Sequence, residues 1–238
     1  MAARPKLPRL SFSVQRAEGA SRLTVEIAEL VVAGWTGRDV AAVEHHIEEL
    51  AAIGVPRPST FPLFYRVARN QLQQGPALQV MGPDTSGEAE FVLFAHGGEL
   101  WVTAGSDHTD RKAEAQSVAI AKQLCGKVVA GRAWRYADVA PHWDRLVLRS
   151  FIREKGKRVK YQEGPVTAMR GPEELMRIWA TSGGGSASLP DGTAMYCGTL
   201  PAIGGIRPAD RFAYELEDPV LGRKISHAYD VIALPVVA

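Results

Sequence analysis

The 238-residue sequence predicts an α+β domain made mainly of mixed β-sheet. Three observations predict it. About ten segments rich in β-branched and apolar residues read as strands, against three with helical periodicity. The strands do not alternate regularly with the helices, which argues against a doubly wound fold or a TIM barrel. Apolar residues make up 46% and charged residues 23%, ordinary globular proportions for a chain able to bury a core.

Segments 9–14 and 22–32 are β-rich and partly alternating, and read as strands. In 40–53, Val40, Val43, Ile47 and Leu50 recur at helical spacing, and Gly54 and Pro56 stop the pattern. Residues 61–67 are a short apolar strand. Residues 88–107 form two strands around Gly97-Gly98, a hairpin signal. Residues 109–126 read as one helix, with Thr109 as cap and Gly126 as stop. A hairpin turning near Gly156 follows, then a short helix with Pro172 in its first turn. The last strands lie within 193–200, 210–219 and 222–237. Residues 1–30 are taken as N-terminal strands and 31–238 as the main unit, together one compact body.

The formal charge of +2 gives no general reason to expect nucleic acid or an acidic membrane surface. No apolar run approaches the roughly 18 residues of a membrane-spanning helix. Cys125 and Cys197 sit in apolar surroundings and are expected as buried free thiols. The basic start of the chain lacks the apolar stretch of a secretory signal, so a cytoplasmic protein is expected. The Gly-rich stretch at 183–186 lacks the Gly-Lys-Ser/Thr ending of a phosphate-binding loop.

Three clusters could carry chemistry. Glu88 and Glu90 are two apart in a strand and share a face, and a turn at 97–98 brings Asp107 back alongside them. Three carboxylates without a nearby lysine repel one another unless a cation or a proton is present, and hard oxygen donors suit Mg²⁺, Mn²⁺ or Ca²⁺. The same residues also suit a solvated strand face with Asp107 capping the next helix. On the first helix, His46 and Glu49 are three apart, so a carboxylate can orient an imidazole that acts as a base; His45 with Glu48 or Glu49 offers the same geometry. Between Arg145 and Lys160, seven basic residues face one acid, Glu154, and a solvated hairpin tip is the simpler reading of them.

Taken in order, these segments resemble the fumarylacetoacetate hydrolase superfamily, and within it a bacterial branch. His46 to Glu49 is similar to the family's His-x-x-Glu segment, and Pro62 to Arg66 to its Phe-x-Lys-Pro strand. Glu88-Ala89-Glu90 resembles its Glu-x-Glu metal motif, and Ser106 to Arg111 its Asn-Asp-x-Ser-x-Arg motif. Lys127 falls on a family lysine that meets substrate, Gln162 on the glutamine after the basic hairpin, and 197–210 resembles the C-terminal Gly-Thr-Pro and Pro-Gly-Asp pair. Departures include Arg66 for lysine, Ser106 for asparagine, and a bare hairpin between Glu90 and Asp107.

The resemblance implies a mixed β-sheet roll of the family's C-terminal-domain type with a few peripheral helices. It implies a homodimer, with Mg²⁺ (or Mn²⁺ or Ca²⁺) on Glu88, Glu90 and Asp107. His46, Glu49 and Lys127 would be catalytic, and Arg66, Arg111, Gln162 and Thr199 would bind substrate. The implied activity is hydrolytic cleavage of a C–C bond in a 1,3-dicarbonyl or acylpyruvate-like 2-oxo acid. Oxo-acid decarboxylation, hydration or isomerisation, or a non-catalytic binding protein keeping the fold, are the alternatives.

Overall fold

The structure, a computed structural model, describes residues 7–16, 19–52, 57–184 and 188–237. Strands β1 (Arg9–Arg16) and β2 (Gly19–Glu26) pair antiparallel, and β3 (Glu29–Gly34) follows. The single strand predicted over 22–32 is thus divided at Ile27 and Ala28. Their N–H groups turn away to the carbonyls of Pro8 and Gly192. Helix α1 (Val40–Ala52) starts where the Asp39 carboxylate accepts the Ala42 N–H at 3.1 Å, and it buries Ile47.

β4 (Leu63–Val67) returns along β3, and β5 (Leu72–Gln73), β6 (Ala77–Met81) and β7 (Thr85–Ser86) lead to the hairpin of β8 (Ala89–His96) and β9 (Glu99–Asp107). Gly97 and Gly98 have φ of 64° and 74°, the left-handed pair that a two-residue turn requires. After β10 (Thr109–Asp110), the one helix predicted over 109–126 is two, α2 (Arg111–Glu114) and α3 (Val118–Leu124). Asp110, not Thr109, caps α2 by accepting the Ala113 N–H at 2.9 Å, and Ser117 caps α3. Thr109 stays in strand, its hydroxyl donating to the Asp107 carbonyl.

β11 (Lys127–Val129), β12 (Arg132–Arg135) and α4 (Tyr136–Val139) precede the basic hairpin of β13 (Val147–Glu154) and β14 (Lys157–Pro165). Helix α5 (Pro172–Trp179) and strands β15 (Thr193–Thr199), β16 (Arg211–Asp218) and β17 (Arg223–Leu234) complete the described elements.

Ten strands make one sheet, whose main path runs β2-β1-β12-β9-β8-β15-β3-β4, and five make another in the order β14-β13-β16-β17-β6. One core fills the space between them, with Phe91, Leu93 and Val102 of the larger sheet against Leu148, Phe212, Tyr214 and Tyr229. A second core lies on the other face of the larger sheet. It joins Phe12 and Val25 from one end of that sheet to Val32 and Val67 from the other, around Phe94, Trp101 and Tyr196. Strands at opposite ends share this core because the sheet curls into a roll, and Phe12 stacks on Phe94 at 4.5 Å. β8 is therefore buried on both faces along nearly its whole length, whereas β16 alternates buried and half-buried. The architecture is mainly β with peripheral helices, as the sequence predicts.

Candidate metal centre

The β8–β9 register places Ala89 opposite Ser106 and Glu90 opposite Gly105, so Glu88 comes level with Asp107, whose N–H donates to the Glu88 carbonyl at 2.9 Å. One oxygen from each of Glu88, Glu90 and Asp107 lies within 4.8 Å of the others. β11 adds the next layer: Lys127 sits directly opposite Asp107 and is fully buried. The carboxylates thus close the end of the roll's inner face, on the side lined by Val92, Val129 and Tyr196.

The expectation of carboxylates with no lysine nearby is corrected. Lys122, reaching in from α3, pairs with Asp107 Oδ2 and lies 3.4 Å from Glu88 Oε2. Lys127 Nζ lies 2.8 Å from Asp107 Oδ1 and donates to the His108 carbonyl at 2.7 Å. Arg111 donates to Glu88 Oε1 at 2.8 Å. Burial alone would raise all three carboxyl pKa values. For Asp107, Lys122 and Lys127 outweigh burial and bring it down to about 2. For Glu88, Lys122 and Arg111 hold it below the ordinary range against burial. Glu90 goes the other way: burial, then the Asp107 charge, push it well above the usual carboxylate value.

Glu90 is held instead by backbone. The β15–β8 register shifts between Tyr196 and Thr199, and this irregularity turns the Gly198 N–H onto Glu90 Oε2 at 2.6 Å. Gly198 has φ +98°, and a Cβ there would fall 1.7 Å from the Thr36 hydroxyl oxygen, so only glycine fits.

Several predicted substrate contacts are occupied elsewhere. Arg111 binds Ser86, Glu114 and Glu88 through its three nitrogens, so it fixes Glu88. Buried Gln162 accepts from the Ala89 N–H and the Ser150 hydroxyl and donates to Thr199 Oγ1 and the Leu200 carbonyl, which uses its amide fully. The Thr199 proton goes to the Ala89 carbonyl at 2.7 Å. Gln162 and Thr199 therefore lock the strand that carries Glu90, and neither has a donor left for substrate. Arg66 faces the opposite side of β4 from Tyr65, where it pairs with Glu29 beside a surface groove also lined by Pro8 and Asn70. It does not reach the carboxylates. His46 and Glu49 lie on α1, but their side chains fall outside the described residues.

Sequence reasoning missed Lys122 and Tyr65. Lys122 lies beside Ala121 and three residues from Cys125, both buried, so a lysine on the apolar face of α3 was the available signal. The Tyr65 hydroxyl accepts from the Trp35 indole N–H at 3.2 Å. Burial raises its pKa, although Trp35 and Lys122 pull the other way. Behind the carboxylates, the two His108 ring nitrogens meet Tyr229 and Thr85 at 2.8 and 2.9 Å. Burial, with Lys127 and Arg111 nearby, lowers the His108 pKa to about 3 and keeps the ring neutral.

The donor set fits a divalent cation. It offers three hard oxygen ligands, and among the described residues no cation pairs with Glu90. Asp107 Oδ1 is buried with no well-aligned hydrogen bond despite its short distance to Lys127. The basic hairpin, by contrast, is laced with acids. Arg149 donates to Glu163 at 2.6 Å and pairs with Glu217, Arg153 donates to Asp210 at 3.0 Å, and Arg158 covers the Phe151 ring.

Residues 33–229 match the model of a family described as "Protein of unknown function (DUF2848)". No curated protein sequence matches the chain. Among solved structures it is similar to a 2-keto-3-deoxy-D-arabinonate dehydratase complexed with magnesium and 2,5-dioxopentanoate. That match has 16% identity over 90% of this chain and 77% of the other, with a TM-score of 0.63. It is also similar to 4-oxalocrotonate decarboxylase from Pseudomonas putida G7 complexed with calcium and acetate, with 18% identity over 85% and 76% and a TM-score of 0.53. A third match, Cg1458, has 14% identity over 87% and 77% and a TM-score of 0.60. The fold is that of the fumarylacetoacetate hydrolase superfamily, to which these proteins belong. Among the described residues no helix is long and apolar enough to cross a membrane.

Proposed function

We propose that this chain, which belongs to the DUF2848 family, is a divalent-metal enzyme that cleaves a carbon–carbon bond in a small 2-oxo acid or 1,3-dicarbonyl compound. The convergence of Glu88, Glu90 and Asp107, with Lys127 directly across from Asp107, carries the reading. Glu88, Glu90 and Asp107 would hold a divalent ion, magnesium by our choice, which would supply Lewis-acid stabilisation of negative charge developing on substrate oxygens. The chain's own residues do the rest. Lys127 donates to the His108 carbonyl and holds its ammonium group 2.8 Å from Asp107 Oδ1, keeping positive charge beside the ligand in a dry pocket. Gly198 and Arg111 fix Glu90 and Glu88. The Tyr65 phenol, kept protonated by burial, has its proton available for a substrate oxygen.

His46 takes the role of general base, with Glu49 one helical turn away to orient it. In the hydrolytic reaction His46 removes a proton from water, the hydroxide adds to the carbonyl, and the C–C bond breaks with its electrons leaving as the enolate, which is then protonated. A second reading, lyase chemistry by decarboxylation or dehydration, is favoured by the names of two structural neighbours. The reading includes a cytoplasmic homodimer, which light scattering and fractionation test.

Ultraviolet loss of enolate absorbance across a panel of 2,4-diketo acids tests the function. Hydrolysis predicts metal-dependent turnover to two acids with uptake of one water, abolished in His46→Ala. Carbon dioxide release moves the assignment to the lyase reading. Metal-independent turnover, or silence from metal-loaded protein across both 2,4-diketo and simple 2-oxo acids, contradicts the proposal.

A further inference from the structure

We propose that Lys122 is a tethered cation occupying the position of the divalent ion, so that metal binds only by displacing its ammonium group. The inference deepens the metal reading above and rests on it. Arg111 takes Oε1 of Glu88 and Lys127 faces Oδ1 of Asp107. The oxygens left over are Oε2 of Glu88 and Oδ2 of Asp107, and Lys122 pairs with both. Among the described residues it is the cation that bridges two of the three carboxylates; Arg111 and Lys127 each hold one.

Charge counting points the same way. Lys122, Lys127 and Arg111 meet four carboxylates, Glu88, Glu90, Asp107 and Glu114, so a divalent ion added to the intact cluster would reverse its formal sign and leave an excess of positive charge withdrawn from water. Expelling one lysine removes that excess and frees two ligand oxygens together. Lys122 is the one able to leave. Lys127 is anchored in β11 and also bound to the His108 carbonyl, whereas Lys122 projects on a flexible four-carbon stem from α3, a surface helix that exposes Ile120 and Leu124. Metal and lysine then define two states of the site, and the metal concentration at which it fills is set by how strongly the lysine holds its place.

Titration of Mn²⁺ into purified protein, read by loss of the free-ion paramagnetic resonance signal, tests this without any activity assay. Lys122→Met is expected to bind Mn²⁺ about tenfold or more tightly than wild type, as when a competent state populated at about a tenth or less becomes dominant. Glu88→Ala/Glu90→Ala placed in the same background should abolish the binding. Equal affinity in wild type and Lys122→Met, both lost on removing the glutamates, overturns the tethered cation and leaves the metal reading standing. No binding to either overturns both. Wild-type protein gives a second measurement if Lys122→Met does not fold. Acylation of Lys122 by a small amine-reactive anhydride, followed by mass spectrometry, should rise several-fold when Mn²⁺ is bound, and unchanged labelling at saturating Mn²⁺ contradicts the proposal.

Discussion

The protein carries two dense groups of charge, and their settings are opposite. At the end of β8 and β9, Glu88, Glu90, Asp107, Lys122, Lys127 and Arg111 are withdrawn from water. On the β13–β14 hairpin, Arg149, Arg153 and Lys160 meet Glu163, Asp210 and Glu217 at or near the surface. The pairs have similar lengths, but in water two charges are screened and each retains solvent when its partner is lost, whereas in the roll the survivor is stranded. Counting ion pairs would rank the two regions equally. Burial says that one of them holds most of the energetics, and it is there that the proposed chemistry sits.

Single substitutions can break or sharpen that contrast. The largest effect is expected for Lys127→Met, which leaves Asp107 short of a partner in the interior and should cost about 3–5 kcal/mol in urea denaturation. Next comes Gly198→Ala. Its methyl group collides with Thr36 and requires a left-handed backbone, for a loss of about 2–4 kcal/mol. Adding Thr36→Ala should recover only the part due to the collision.

Glu90→Gln should act in the other direction. The folded-state pKa of Glu90 is raised, so the unfolded chain gives up this proton first, and stability falls as pH rises from the ordinary carboxylate range up through the raised pKa of the folded state. Removing the charge should raise the metal-free melting midpoint at neutral pH by about 2–4 °C and flatten its pH dependence, while saturating Mn²⁺ should favour wild type. An unchanged midpoint in calorimetry would mean that Glu90 is already neutralised. The smallest effect is expected on the hairpin, where Arg153→Ala should leave the midpoint within about 1 °C and heparin retention as weak as in wild type. A large loss there would erase the distinction between the two regions.

Much of the fold was legible because strand period and turn chemistry act locally. Gly97-Gly98 fixed a register, and that register alone brought Asp107 to Glu88. The helix from Val40 was equally plain from its apolar spacing. Elements that owe their existence to distant partners were not legible. β5 and β7 are two residues long and exist through pairing with β11 and β10. Within the site, the carboxylates could be read from strand spacing, while Lys122 follows Asp107 by only 15 residues but reaches it from α3, whose facing no strand register sets. The engagement of Gln162 and Thr199 was hidden for a related reason: a motif gives residue type, but only the full set of hydrogen bonds shows where each donor goes.

The account turns on whether Glu88, Glu90 and Asp107 hold one ion. A crystal grown with Mn²⁺, with diffraction recorded across the manganese absorption edge, addresses that directly. The prediction is a single anomalous peak within ligand distance of all three carboxylates, about 2.1–2.3 Å from each nearest oxygen. A Mn²⁺-saturated crystal with no peak among them, and Lys122 still paired to Glu88 and Asp107, would contradict it.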